Sequence, residues 1–219
     1  MRTKKILILT LLLSVSAAAA EKGGKPEQSD GMGFLKKVEE RYGKLKDYGG
    51  VFEYVEQKDK KQARHVCDFI FMKPDYQRMK VLEGAHKGSS VAYNPSKSTD
   101  KCVAKPAFPP VPVALSKNDK RLEGFFDSGW DSDVRFMKRL AGSGTVEIAG
   151  EESVEGRKAY LLVIKPGKDE EVSEMKAWID REELFLVQYE CLKDGEFHSR
   201  KTWRKVRLNP GLKPDDFVP

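Results

Sequence analysis

Residues 177–203, AWIDREELFLVQYECLKDGEFHSRKTW, alternate apolar and polar side chains for most of their length around a two-residue Asp194-Gly195 turn. An Asp-Gly pair supplies the two left-handed residues of a tight hairpin, and period-two alternation assigns one set of side chains to each face of a strand. The stretch reads as two antiparallel strands with one face against an apolar interior. Trp178, Phe185, Tyr189 and Trp203 are more large side chains than an isolated hairpin can use. The hairpin therefore belongs to a larger surface that they cover or line.

Strand-like runs continue on both sides of it. TVEIAGEESV, KAYLLVIKP, EVSEMKAWID, LFLVQYECLK and EFHSRKTWRKVRL give five candidates in the last third, followed by the irregular tail LNPGLKPDDFVP. Earlier, VFEYVEQ, RHVCDFIFM, YQRMKVLEG and SSVAYNP are short runs bounded by KDKKQ, KPD, GAHKG and NPSKS. This spacing of strands and turns marks an antiparallel β architecture. Phe52 shares a face with Tyr54, and Phe69 with Phe71. From about Ser96 to Leu115 the pattern loosens. FPPVPVAL carries three prolines, which predicts an extended connection or sheet edge rather than a central strand.

Two helices complete the pattern. In FLKKVEERYGKLKDYGG, Phe34, Leu35, Val38, Tyr42 and Leu45 fall on one helical face, and Gly49-Gly50 is expected to end it. A second helix is expected in the later half of SKNDKRLEGFFDSGWDSDVRFMKRLAG. There Val134, Met137, Lys138 and Leu140 bracket a face, Asp131 or Ser132 supplies the cap, and Gly142 the stop. The total is about nine strands and two helices, in a mainly β, α+β chain built on one strongly curved antiparallel sheet.

The first twenty residues have the form of a signal peptide: a basic MRTKK, an apolar ILILTLLLSV and a small-residue SAAAA ending at Ala20. The apolar core is shorter than the roughly 20 residues that span a bilayer, which disfavours the alternative of an uncleaved anchor. Export to a bacterial periplasm is the expectation, with residues 21–31 as a flexible segment and residues 32–219 as a single domain. Losing Arg2, Lys4 and Lys5 lowers the formal charge from +6 to +3. Acidic and basic residues alternate along the rest, so a nucleic-acid footprint is not expected. Three cysteines, Cys67, Cys102 and Cys191, suggest one disulfide and one free thiol in an oxidising compartment. Cys67 and Cys102 are the nearer pair in sequence, but the pairing stays open. His65, His86 and His198 lack metal-site spacing, and no C-x-x-C occurs.

Nothing in the chain has the form of a catalytic motif: no G-x-S-x-G, no phosphate-binding G-x-x-x-x-G-K and no H-E-x-x-H. Asp131/Asp133 and Asp215/Asp216 are carboxylate pairs in loop-like segments, and Cys67 beside His65 is an awkward nucleophile. The expectation is a non-enzymatic protein without cofactor or metal. Arg200, Lys201, Arg204, Lys205 and Arg207 interleave with Trp203 and Val206, which reads as a solvated outer face or as a contact for acidic lipid head groups.

The order of elements, with YGKLKDYGGVFEYVEQ, FMKPDYQRMKVLEG, VAYNP, SVEGRKAYLLVIKP, AWIDREELFLVQYECLKDGE and LNPGLKPDDF, resembles the LolA-like family of periplasmic half-barrels, with its LolB-type and RseB-type members. Residues 101–133 are richer in proline and charge than the LolA pattern. The carrier's early-strand arginine has no counterpart either, since Glu53 and Glu56 stand there and Arg64 only begins the next strand.

The resemblance implies an open half-barrel of about nine or more strands whose concave face holds a lipoprotein, acyl chain or related amphiphile under a helical lid. Phe52, Tyr54, Phe69, Phe71, Tyr160, Leu162, Trp178 and Tyr189 are then the lipid-binding wall. Phe34, Leu35, Val38, Tyr42 and Leu45 are the lid. The same side chains also suit an ordinary core. In that case the protein is an RseB-like sensor or scaffold that meets a protein partner through the sheet edge or the basic strand. A membrane surface or a membrane protein is a further candidate partner under either reading.

Overall fold

A computed structural model describes residues 30–58, 61–168 and 170–219. The expected signal peptide and most of the 21–31 segment lie outside the described residues.

Eleven strands form one antiparallel sheet in the order β6-β5-β4-β3-β2-β1-β11-β10-β9-β8-β7. In chain order they are β1 (Asp47–Lys58), β2 (Lys61–Met72), β3 (Tyr76–Glu83), β4 (Ser90–Tyr93), β5 (Lys101–Lys105), β6 (Val113–Ser116), β7 (Thr145–Val154), β8 (Arg157–Lys165), β9 (Glu174–Asp180), β10 (Leu186–Lys193) and β11 (Glu196–Leu208). Consecutive strands pair throughout except β6 with β7, and β1 also pairs with β11, with Phe52 opposite Trp203. The end strands β6 and β7 stay apart, so the sheet is a curved half-barrel. The two strands beyond the expected nine are β5 and β6, in the proline-bearing stretch, and β6 is an edge, where proline is tolerated.

The opening stretch contributes three strands rather than two. β9 and β10 are joined by residues 181–185, and β10 and β11 by the Asp194-Gly195 turn, with φ of 53° and 83°. Both φ values are positive, as a type I′ hairpin requires.

Two helices lie in the concavity, α1 (Gly31–Lys44) and α2 (Trp130–Gly142). Their apolar stripes, Leu35 and Val38 from α1 and Val134, Met137 and Leu140 from α2, bury against Leu162, Ile164, Met175, Ala177 and Ile179 of β8 and β9. They form a helical lid over the β7–β11 half of the sheet. Phe34 packs edge-on to Tyr160 at 5.1 Å, and Tyr42 on Trp130 at 5.6 Å. The N-terminus of α2 does not follow the expected cap. Gly129 is the N-cap residue, and the Trp130 amide donates to the Tyr48 hydroxyl at 2.7 Å in place of a side-chain cap from Asp131 or Ser132. The helix ends on Gly142, the expected stop, with Ser143 as C-cap in a right-handed conformation.

Gly49-Gly50 does not end α1. That helix stops at Lys44, where Lys73 donates to the carbonyls of Tyr42 and Gly43 at 3.0 and 2.7 Å, and both glycines lie inside β1. A Cβ on Gly50 would stand 3.0 Å from the Arg204 carbonyl, and one on Gly49 2.9 Å from Ile70. The glycines permit close strand approach beside a bulge between Gly49 and Val51.

The expected disulfide is also corrected. Cys67, Cys102 and Cys191 are buried free thiols on β2, β5 and β10. β2 and β5 are three strand spacings apart, about 14 Å, whereas a disulfide joins Cα atoms about 4.4–6.8 Å apart. β10 lies three spacings from β2 on the other side.

Candidate functional site

The helices leave the β1–β6 half of the concave face to a different cover, residues 117–128. This strap buries Leu122 and Phe125 in a satellite cluster with Val91, Tyr93, Cys102 and Leu115. It is moored at both margins: the Gln77 amide donates to the Phe125 carbonyl, and Lys201 Nζ donates to the Ser128 carbonyl at 2.8 Å. Lys117 Nζ sits 4.1 Å above the Tyr93 ring at the strap's start.

Between strap and sheet lies a cavity of about 750 Å³. Its wall follows from strand register. Phe52 pairs with Cys67 and Cys67 with Val81; one step along, Met79 pairs with Val91, Val91 with Ala104 and Ala104 with Val113. All seven line the cavity, and Leu115, Leu122 and Phe125 close it from the edge and above. Alternation thus turns consecutive strands into one apolar surface. Polar side chains gather around this surface: His65, His86, Lys105, Arg121 and Asp127.

A buried ion pair stands at the floor, beneath the junction with α2. Lys201 donates to both carboxylate oxygens of Asp133 at 2.9 Å, and the Trp203 indole donates to the same carboxylate at 3.2 Å. The Lys201 ammonium also lies 4.9 Å from the Phe52 ring and 5.1 Å from Trp203. Burial raises the Asp133 carboxyl above its ordinary value, with Lys201 and the Trp203 N–H pulling it back. All three ammonium protons are engaged, so Lys201 anchors α2 to β11 rather than acting as a free cation. Burial pushes the Cys67 thiol up to about 11, with Lys201 acting against it. That thiol is protonated at neutral pH and is a poor nucleophile. Among the described residues no group of three or more His, Cys, Asp or Glu is assembled to hold a metal ion, and no helix is long and apolar enough to cross a membrane.

Of the expected wall, Phe52, Tyr54 and Tyr189 line the cavity. Phe69, Phe71, Tyr160 and Leu162 face the same side but belong to the core under the helices and Tyr48. Trp178 is on the opposite face. It pairs with Leu161 and Gln188, out of phase with Tyr189, and its indole donates to Glu152 at 2.7 Å. Phe185 packs at the β9–β10 loop against Trp130. The expected lid residues Phe34, Leu35, Val38, Tyr42 and Leu45 cover the helical half, and none lines the cavity.

The basic run of β11 is likewise not one face. Arg204 reaches Glu53 and Glu155, and Arg64 bridges Glu53 to Glu83, on the convex side; Lys201 points inward and is 3% exposed. The wall residues Met79, Val81, Val91, Ala104 and Leu115 and the strap residues Leu122 and Phe125 were missed from sequence. Met79 and Val81 share parity in YQRMKVLEG, a signal that could have found them, whereas nothing in the chain marked Leu122 and Phe125 as cover.

No protein-family model matches the sequence, and comparison with curated proteins finds no match. Solved structures do share its fold. The lipoprotein LppX of Mycobacterium tuberculosis superposes with a TM-score of 0.54 at 13% identity, covering 84% of this chain and 97% of LppX. The MucA/MucB complex of Pseudomonas aeruginosa gives 0.56 at 16% identity over 87% of this chain, which spans only 61% of the matched chain. An uncharacterized conserved protein from Thermus thermophilus gives 0.53 at 10% identity, with 86% and 93% covered. At these identities the likeness is one of fold, and it agrees with the half-barrel expected from sequence.

Proposed function

We propose that the protein binds one acyl chain of a lipoprotein, lipid or related amphiphile in the cavity beneath the strap. It carries or presents that ligand outside the cytoplasm, in the periplasm, without covalent change. The observation that supports this is the continuous apolar wall from Phe52 to Val113, left uncovered by the two helices. Its volume of about 750 Å³ falls in the roughly 300–1,000 Å³ range of small-molecule sites. Each buried CH₂ contributes about 0.8 kcal/mol, so a sixteen-carbon chain supplies about 12 kcal/mol gross, set against an association cost of about 4–15 kcal/mol. Release needs a competing state, and Leu122 and Phe125 on the strap are apolar groups suited to close on an empty wall.

Titration with a fluorescent fatty acid tests the reading. The protein is expected to bind it saturably. Val81→Arg, which places a charge on a half-buried wall position, is expected to weaken binding at least about tenfold while the unfolding midpoint is largely kept. A wild-type protein with no saturable binding contradicts it.

A second reading is favoured by the likeness to MucB, whose solved complex contains MucA. In it the sheet binds a protein partner as a sensor or scaffold. Replacing Phe52 or Phe69 then lowers stability and changes no ligand binding.

A further inference from the structure

The loop joining β5 to β6 carries the most exposed large apolar side chain among the described residues, Phe108, at 90% exposure, with Val111 at 59%. From Pro106 to Ser116 eleven consecutive residues carry no charge. The loop projects from the cavity rim, since Lys105, Pro106 and Val113 at its two bases line the cavity. We propose that this tip is a membrane-contact element that inserts into the interfacial layer of an anionic bilayer.

Three observations favour a bilayer over a protein surface. The first is backbone chemistry. A peptide N–H moved into the apolar boundary of a membrane without a partner is heavily penalised. In residues 106–112, Pro106, Pro109, Pro110 and Pro112 have no N–H to satisfy. Of the three others, Ala107 donates to the Ser89 hydroxyl at 3.0 Å and Val111 to the Pro109 carbonyl at 2.8 Å. Only the Phe108 amide is left. The tip is therefore almost stripped of donors before it meets any partner.

The second is charge. Between Glu83 and Asp119 the chain has Lys87, Lys97, Lys101, Lys105 and Lys117 and a single carboxylate, Asp100. Lys105 precedes the loop. Lys87 sits in the adjoining β3–β4 turn, where Gly88 lies beside Ala107. Neither lysine has an ion pair among the described residues, so both are available to anionic head groups. Asp100 lies at the other end of these strands, where its carbonyl accepts from Lys117. The third is shape. A convex apolar tip needs a matching pocket on a protein, whereas a bilayer takes it without one.

The assignment does not depend on the cavity's content, and the test keeps the two apart. The native tryptophans Trp130, Trp178 and Trp203 are all buried, so Phe108→Trp adds the exposed reporter. With the exported chain, vesicles of phosphatidylcholine containing phosphatidylglycerol are expected to shift its emission to the blue, and pure phosphatidylcholine far less. In co-sedimentation, Phe108→Asp is expected to weaken binding about tenfold or more, as is Lys87→Glu combined with Lys105→Glu. Added salt should weaken wild-type binding. The Val81→Arg protein should bind vesicles as wild type does even though its cavity is blocked. A tip tryptophan that stays in water with either vesicle overturns the assignment and leaves the loop to a protein partner. Unchanged sedimentation of Phe108→Asp overturns it equally.

Discussion

Lys201 and Asp133 form a pair whose side chains are 4% and 5% exposed. Breaking such a pair from one side leaves a buried charge without a partner, whereas replacing both members by apolar groups is often neutral or stabilising. Lys201→Met is therefore expected to lower unfolding free energy by about 3–5 kcal/mol, and Asp133→Leu added to it should restore most of the loss. Urea unfolding of the two variants checks this, and a single variant within about 1 kcal/mol of wild type would show the pair to be dispensable. The three thiols give a second prediction. Ellman titration in denaturant, without reductant, should count all three cysteines, where a disulfide would leave one. In sequence the basic neighbours of Lys201 set it on an outer face, although residues 201 and 203 share parity, a signal that Lys201 follows Trp203 inward. The partner was not legible, because Asp133 lies 68 positions away on a helix whose docking no periodicity specifies.

At the scale of elements, α2 shows how a helix with no side-chain cap is held. The Tyr48 hydroxyl of β1 accepts the amide of Trp130, and burial drives that phenol well above its ordinary pKa, so it remains protonated. Tyr48→Phe removes the acceptor and is expected to cost about 1–2 kcal/mol without changing fatty-acid affinity; an unchanged unfolding midpoint would contradict the capping role. The alternation of VFEYVEQ and RHVCDFIFM and the stripe from Phe34 to Leu45 were enough to place β1, β2 and α1. The face of Trp178 was not. Residues 177–180 of β9 are all buried, so burial marks neither side, and a bulge between Leu186 and Gln188 shifts β10 against it. Gly49-Gly50 misled for a similar reason: close strand approach and a helix stop both call for glycine.

For the whole molecule, the concave face is divided. The β7–β11 half is a packed core under α1 and α2; the β1–β6 half keeps its apolar wall under a strap moored through Gln77 and Lys201. A strongly curved antiparallel sheet was legible from strand count and turn spacing, and the half-barrel from the resemblance to LolA-like proteins, but the site of its opening depends on where 117–128 docks, which local pattern does not carry. The division predicts that ligand and stability separate: wall substitutions such as Val81→Arg act on binding, and substitutions under the helices act on stability. Native mass spectrometry of the protein purified from its own compartment, followed by organic extraction, tests the central claim most directly. The account predicts an added mass matching one acyl-bearing molecule per chain, absent from Val81→Arg. A wild-type protein at its bare mass, unchanged after incubation with phospholipid and acylated peptide, would contradict it.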